Sequence, residues 1–172
     1  MFRTLLAVGL RIMESRPVTG DSPILRPLEA RDVPSCARFI AEAPLWKRYG
    51  YGADRCAADL TAALEGHKDV VICLELAAKP AGLAWVLPRG TFGRSPYLKL
   101  IAVATDQRGG GLGALLLAAA EEIGAGELTL LVSDFNVDAQ RFYLEHGYRE
   151  VGALADFVLP GVTERILRKA PR

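Results

Sequence analysis

Apolar positions along this 172-residue chain change their period several times, and each change marks an element. Val33, Cys36, Ala37 and Ile40 recur at helical spacing behind Asp32, so a helix capped by Asp32 is predicted through Ala43. Ile24, Leu25 and Arg26 before it read as a short strand. Residues 44–52 are aromatic and basic without a period, which predicts a loop. A second helix over 54–65 ends near Gly66. The β-branched run 69–77 is a strand, Lys79-Pro80 marks a turn, and 81–87 is the hairpin partner, with Trp85 in the core. Residues 88–96, rich in Gly and Pro, predict a loop, and 97–104 a further strand. Leu112, Leu115, Leu116, Ala119 and Ile123 then fall on one helical stripe. A strand over 128–132, a helix from Asn136 to Gly147, and two strands around Pro160-Gly161 complete the chain. Middle hairpins followed by a strand–helix crossover predict an α/β domain, a mixed sheet with helices on both faces.

Composition narrows the class. Hydrophobic residues make up 51% and charged residues 24%, the profile of a soluble globular domain. One domain is expected over 23–170, with 1–22 a loosely ordered extension. Thr4 to Leu10 form an apolar run, but it is short, meets Arg11 at once and has no small-residue cleavage site. Whether Met13 is the true start stays open. The formal net charge of +1 gives no field that would select nucleic acid or a membrane, so neither partner is expected. Cys36, Cys56 and Cys73 are odd in number and show no Cys-x-x-Cys spacing, and His67 and His146 are the only histidines. Buried free thiols in a reducing, cytoplasmic setting are expected, and no metal site.

Chemistry concentrates at two places. The first is Arg108-Gly109-Gly110-Gly111-Leu112-Gly113, between a strand and a helix. Glycines so dense are unfavourable inside either element, and suit a tight turn that a ligand approaches closely. The unpaired N–H groups opening the helix, together with Arg108, suit a pyrophosphate. A Walker A loop is excluded, because Ala114-Leu115 follow Gly113 where Lys and Ser/Thr are required. A dinucleotide fingerprint fits better: Gly109-x-Gly111-x-x-Ala114 has its spacing, and Asp134 lies 20 residues past Ala114. Against it, Thr105 to Arg108 separate the strand from the first glycine, and little chain remains for a substrate domain. The second place is the segment from Leu130 to Tyr148, where Asn136 is a good N-cap and Gly147 suits a left-handed helix end.

Both segments resemble motifs of the GNAT N-acetyltransferase superfamily. The glycine loop resembles Gln/Arg-x-x-Gly-x-Gly/Ala. Asn136, Ala139, Phe142, Tyr143, Gly147 and Tyr148 match Asn-x-x-Ala-x-x-Phe-Tyr followed by Gly-Tyr/Phe. The likeness spans 24–169 and is strongest over 98–148. It implies a GNAT-like fold and transfer of an acetyl group from acetyl-CoA to an amine. By resemblance, Arg108, Gly109, Gly110, Gly111, Leu112 and Gly113 would hold the CoA pyrophosphate. The strand carrying Ile101, Ala102 and Val103 would pair with the pantetheine arm, and an N–H there would polarise the thioester. Asn136 and Tyr143 would lie on that arm, with Tyr143 protonating the departing thiolate. A phenol is protonated at neutral pH and is suited to that task.

Other assignments stay open. An ammonium acceptor must lose a proton before it attacks. Tyr97 and Lys99 stand where some members of the superfamily carry a glutamate, so Asp134 or a water chain is the candidate base. Trp46, Tyr49 and Tyr51, with Lys47 and Arg48, lie where this fold usually meets its acceptor, and serve either as contacts or as a hydrophobic lid. The acceptor itself and a homodimer are undetermined. A CoA-binding sensor without turnover and a nicotinamide-binding protein remain as rival classes.

Overall fold

The computed structural model describes residues 22–171. The apolar run at 4–10 and Met13 lie outside the described residues, as does the expected extension except for Ser22. The elements in order are β1 (Ile24–Pro27), α1 (Val33–Glu42), α2 (Pro44–Arg48), α3 (Ala53–Gly66), β2 (Val70–Leu76), β3 (Lys79–Thr91), β4 (Ser95–Val103), α4 (Leu112–Ile123), β5 (Leu128–Ser133), α5 (Val137–Glu145), β6 (Arg149–Ala155) and β7 (Thr163–Lys169). They form one seven-stranded mixed sheet in the order β1-β2-β3-β4-β5-β7-β6. Neighbours are antiparallel except β4 and β5, which are parallel because α4 carries the chain back between them.

Strand alternation sends side chains to two cores. On one face α4 and α5 cover Ile72, Leu74, Val86, Leu98, Leu130 and Val132. Here Leu116 sits over Gly82, where any Cβ would meet its Cδ1 at 2.8 Å, so the helix approaches closely only because that position is glycine. On the other face α1 and α3 cover Val71, Cys73, Leu83, Trp85 and Leu100. All three cysteines are buried in this second core as free thiols. Trp85 is core as expected, and its Nε1 donates to Asp69 at 2.8 Å.

The structure corrects several local expectations. Residues 44–48 form the short helix α2 rather than loop, with Pro44 at its first turn, where a missing N–H costs nothing. The first hairpin turns at Ala77-Ala78, both left-handed with φ of 48° and 61°, while Lys79 and Pro80 are already paired in β3. Positive φ at both positions is the two-residue turn (type I′) whose twist matches that of the strands, and this outweighs the turn preference of Lys-Pro. Most of the expected 88–96 loop is strand, because β3 runs to Thr91 and β4 starts at Ser95. Finally, the apolar stripe of α4 is rotated: Leu117 and Ala120 are buried, whereas Leu115 is 42% exposed.

Asp32 stands at the N-cap position of α1 but makes no cap bond with its side chain. Its carboxylate instead accepts from Arg26 Nη1 at 2.6 Å, Arg26 Nη2 at 2.9 Å and the Glu29 N–H at 2.9 Å. Arg26 also donates from Nε to Glu75 at 2.9 Å. A fork that binds two carboxylates is a stronger partner than one helix N–H, so the cap is given up for a clamp joining β1, α1 and β2. The Arg26 hydrogen bonds, against the opposing effect of burial, hold the Asp32 carboxyl below its ordinary range. Its stabilisation is therefore present above that range and is lost as pH falls through the depressed value. We predict that Arg26→Met, which leaves Asp32 buried without its cation, loses about 3–5 kcal/mol of stability at neutral pH. The variant should also lose much of the wild type's weakening in acid. Urea denaturation at neutral and acidic pH checks both, and an unchanged midpoint would contradict the clamp.

Candidate active site

β4 and β5 touch only at their beginnings. Tyr97 pairs with Thr129 and Leu98 with Leu130, and no later residue of either strand is paired across that seam. The cause lies on the other side of β4. Trp85 opposes Leu100 and Val86 opposes Leu98, so Lys99 is an extra residue, a β-bulge. A bulge bends and twists its strand, and this one falls immediately after the last β4–β5 pair. The strands part there, and a cleft of about 1120 Å³ opens between them.

The parting exposes main chain. The Ala104 N–H donates to Ala81 O at 2.8 Å, on the β3 side. Backbone groups alternate along an antiparallel strand, so Ala102 faces β3 as well, while Ile101 and Val103 turn their N–H and C=O groups to the gap. Ile101, Ala102 and Val103 all line the cleft. The Arg108 Nε donates to Val103 O at 3.4 Å, which sets the guanidinium at the cleft mouth.

The glycine loop forms that mouth. Gly109 and Gly111 are left-handed, with φ of 87° and 75°, and a Cβ at either would meet no atom within 4 Å. The requirement there is conformational rather than steric. Gly111 precedes α4, and its carbonyl accepts from the N–H groups of Ala114 at 3.1 Å and Leu115 at 3.2 Å. The N–H groups of Leu112 and Gly113 belong to the first turn and have no intrahelical partner. Arg108, Gly109, Gly111, Leu112 and Gly113 line the cleft, whereas Gly110 is exposed beside it.

α5 supplies the next wall. Asn136 is its N-cap, accepting from the Ala139 N–H at 3.4 Å, and also lines the cleft. Tyr143, 6% exposed, packs edge-on against Phe142 and Tyr148 at centroid separations of 5.3 and 5.5 Å. Burial, then the nearby Tyr97, pushes its phenol well above the ordinary range. The proton is therefore held on Tyr143 throughout neutral pH.

The opposite wall carries a group that the sequence did not signal. Glu164 on β7 is 3% exposed, lines the cleft, and accepts a hydrogen bond from the Tyr49 hydroxyl. Tyr49 also bonds the Ser133 hydroxyl, and Ser133 stands opposite Glu164 in the β5–β7 ladder. Trp46 and Tyr51, at a centroid separation of 5.4 Å, line the same side. Asp134 is placed differently. Its Oδ2 accepts from the Thr163 N–H at 3.2 Å, and it is not among the cleft-lining residues. Among the described residues, no cluster of His, Cys, Asp and Glu could hold a metal ion.

The family model described as Acetyltransferase (GNAT) family matches residues 37–148. The chain belongs to the GNAT acetyltransferase family. Its fold is shared with solved GNAT structures at low identity. An acetyltransferase from Thermus thermophilus is 22% identical, with a TM-score of 0.66, over 89% of this chain and 100% of that one. A GNAT-family acetyltransferase from Bacillus cereus is 13% identical, with a TM-score of 0.70, over 88% and 99%. The PaiA N-acetyltransferase from Thermoplasma acidophilum, solved in complex with coenzyme A, is 16% identical, with a TM-score of 0.62, over 86% and 98%. No curated protein sequence matches the chain.

Burial raises every phenol of this GNAT protein. Burial and Glu164 push Tyr49 and Tyr97 up to about 12. Tyr51, Tyr143 and Tyr148 are also raised, by burial first. These are all five tyrosines of the chain. Raised phenols stabilise the fold below their unfolded value of about 10, and that contribution is lost as pH rises from there through the folded values. At pH 10.5 the folded protein should therefore show little phenolate absorbance at 295 nm, while the protein in denaturant shows more than half of its full signal. Equal signals in the two states would contradict this description of the tyrosines.

Proposed function

We propose that this GNAT protein is an acetyl-CoA-dependent N-acetyltransferase acting on a primary amine. The observation that carries this reading is the unpaired edge of β4, which runs from the bulge at Lys99 into the glycine loop and shares one cleft with Tyr143. The features present fit a CoA ester. Two left-handed glycines, unpaired first-turn N–H groups and Arg108 suit a pyrophosphate. An open strand edge suits an extended amide-bearing arm, which binds as an added strand would.

Acetyl-CoA supplies an activated acetyl group on a good leaving thiolate. The protein contributes the rest. An N–H of Ile101 or Val103 stabilises negative charge on the carbonyl oxygen. Tyr143 holds a proton and gives it to the thiolate. Trp46, Tyr49 and Tyr51 shield the acceptor from water.

Two substitutions test the reading together. Gly111→Val puts a β-branched residue at φ of 75°. Strain of about 1–3 kcal/mol there should weaken acetyl-CoA binding about 5- to 150-fold by calorimetry, with the fold retained. Tyr143→Phe should leave acetyl-CoA binding within about twofold of wild type but lower turnover about 100-fold, the lower end for general acid catalysis. Wild-type affinity in the Gly111 variant, or full turnover in the Tyr143 variant, would contradict these roles. Saturable NAD binding without acetyl-CoA binding would replace the proposal with the dinucleotide reading.

A further inference from the structure

Glu164 is the least expected residue in the cleft. Burying a carboxylate is costly unless charge or hydrogen bonds compensate it. Among the described residues no cation pairs with Glu164. Its protein hydrogen bond comes from one phenol, Tyr49. A phenol has a single proton, and Tyr49 gives it to Glu164, so the Ser133 hydroxyl must donate to Tyr49. The result is a directed chain from Ser133 to Tyr49 to Glu164, ending on a carboxylate that lines the cleft.

The chain lies on the sheet face opposite Tyr143. Leu130 and Val132 point into the core shared with Tyr143. Ser133, the next residue along β5, points to the other face, and Glu164 stands opposite it in register. Tyr49 reaches that face from the end of α2, whose Trp46 packs on the second core. Glu164 and Tyr143 therefore meet the same cleft from opposite sides, through the gap left where β4 and β5 part.

We propose that Glu164 takes the proton of the acceptor ammonium, and that Tyr49 positions Glu164 for that transfer. This rests on the acetyltransferase reading above. The amine nitrogen attacks the acetyl carbon from the Glu164 side. The C–N bond forms and the C–S bond breaks. The ammonium proton goes to Glu164 and on to solvent, the thiolate takes its proton from Tyr143, and the second proton, shed by the nitrogen as it becomes an amide, passes through water to the Tyr143 phenolate. Placing base and acid on opposite faces lets one proton leave while another arrives, without the two groups exchanging it directly. Asp134, engaged by the Thr163 N–H away from the cleft lining, is not used.

Two small amines isolate the step without knowledge of the natural acceptor. Ethylamine is an ammonium at neutral pH and must lose a proton before attack, whereas hydroxylamine is already neutral. With saturating acetyl-CoA, and after subtracting the uncatalysed rate, Glu164→Gln should slow transfer to ethylamine about 100-fold, as loss of a general base does, and transfer to hydroxylamine far less. Tyr49→Phe should show the same selective loss in weaker form. A second readout does not depend on turnover. In protein carrying ¹³C-labelled glutamate and saturated with CoA, ethylamine should move one side-chain carboxyl resonance, and that resonance should be missing in Glu164→Gln. Equal losses for both amines, no loss for either, or a Glu164 resonance indifferent to ethylamine would overturn the proposal. Failure of the acetyltransferase reading has a different signature: wild type would transfer to neither amine and bind no acetyl-CoA, and the role of Glu164 would fall with it.

Discussion

The site depends on one break in the sheet. β4 is held along one edge by β3, and along the other by β5 for only two residue pairs. The extra residue Lys99 bends β4 where that second pairing ends. From there on, Ile101 and Val103 offer main-chain donors and acceptors to a cleft instead of to a neighbouring strand. Unsatisfied backbone groups are expensive when buried, so such an edge persists only where water or a ligand can complete it. Everything assigned to function is arranged around this opening. The glycine loop closes its mouth, α5 brings Tyr143 to one side, and β7 with α2 brings Glu164 and Tyr49 to the other.

Two buried carboxylates show how the same chemistry serves different ends. Asp32 is compensated by a guanidinium fork and a backbone N–H, and it locks β1, α1 and β2 together. Its hydrogen-bonding capacity is used by the fold. Glu164 is as deeply buried, but it faces a cleft and is held by one phenol. A carboxylate so placed has capacity left for a ligand. The contrast lies in the partners, since the two residues do not differ in exposure.

Local signals in the sequence carried the half of the cleft that is proposed to take the cofactor. Arg108 to Gly113 and Asn136 to Tyr148 are contiguous segments whose turn and cap chemistry is set by neighbours a few residues away. Glycine at φ of 75° before a helix, or asparagine accepting from a helix N–H, needs no distant contact to be read. The other half was not legible. Glu164 enters the cleft because β7 pairs with β5 in a particular register, and Tyr49 meets it across 115 residues of chain. A glutamate in an alternating strand gives only a faint hint of this. Asp134 ends a strand beside the loop, where its Oδ2 accepts from the Thr163 N–H and it does not line the cleft. The misplaced features of the fold have a similar origin. Ala77-Ala78 adopts left-handed turns because strand twist demands it, and α4 settles close to the sheet because Gly82 leaves room for Leu116.

The central claim is that β4 meets its ligand through main-chain groups freed at the bulge. Amide hydrogen exchange resolved by residue tests it most directly, with and without saturating CoA. CoA should slow exchange at the Ile101 and Val103 amides and at the amides of Gly109 to Gly113, while Ala102 and Ala104, which face β3, should change little. Binding of CoA with no change at Ile101 and Val103 would contradict it.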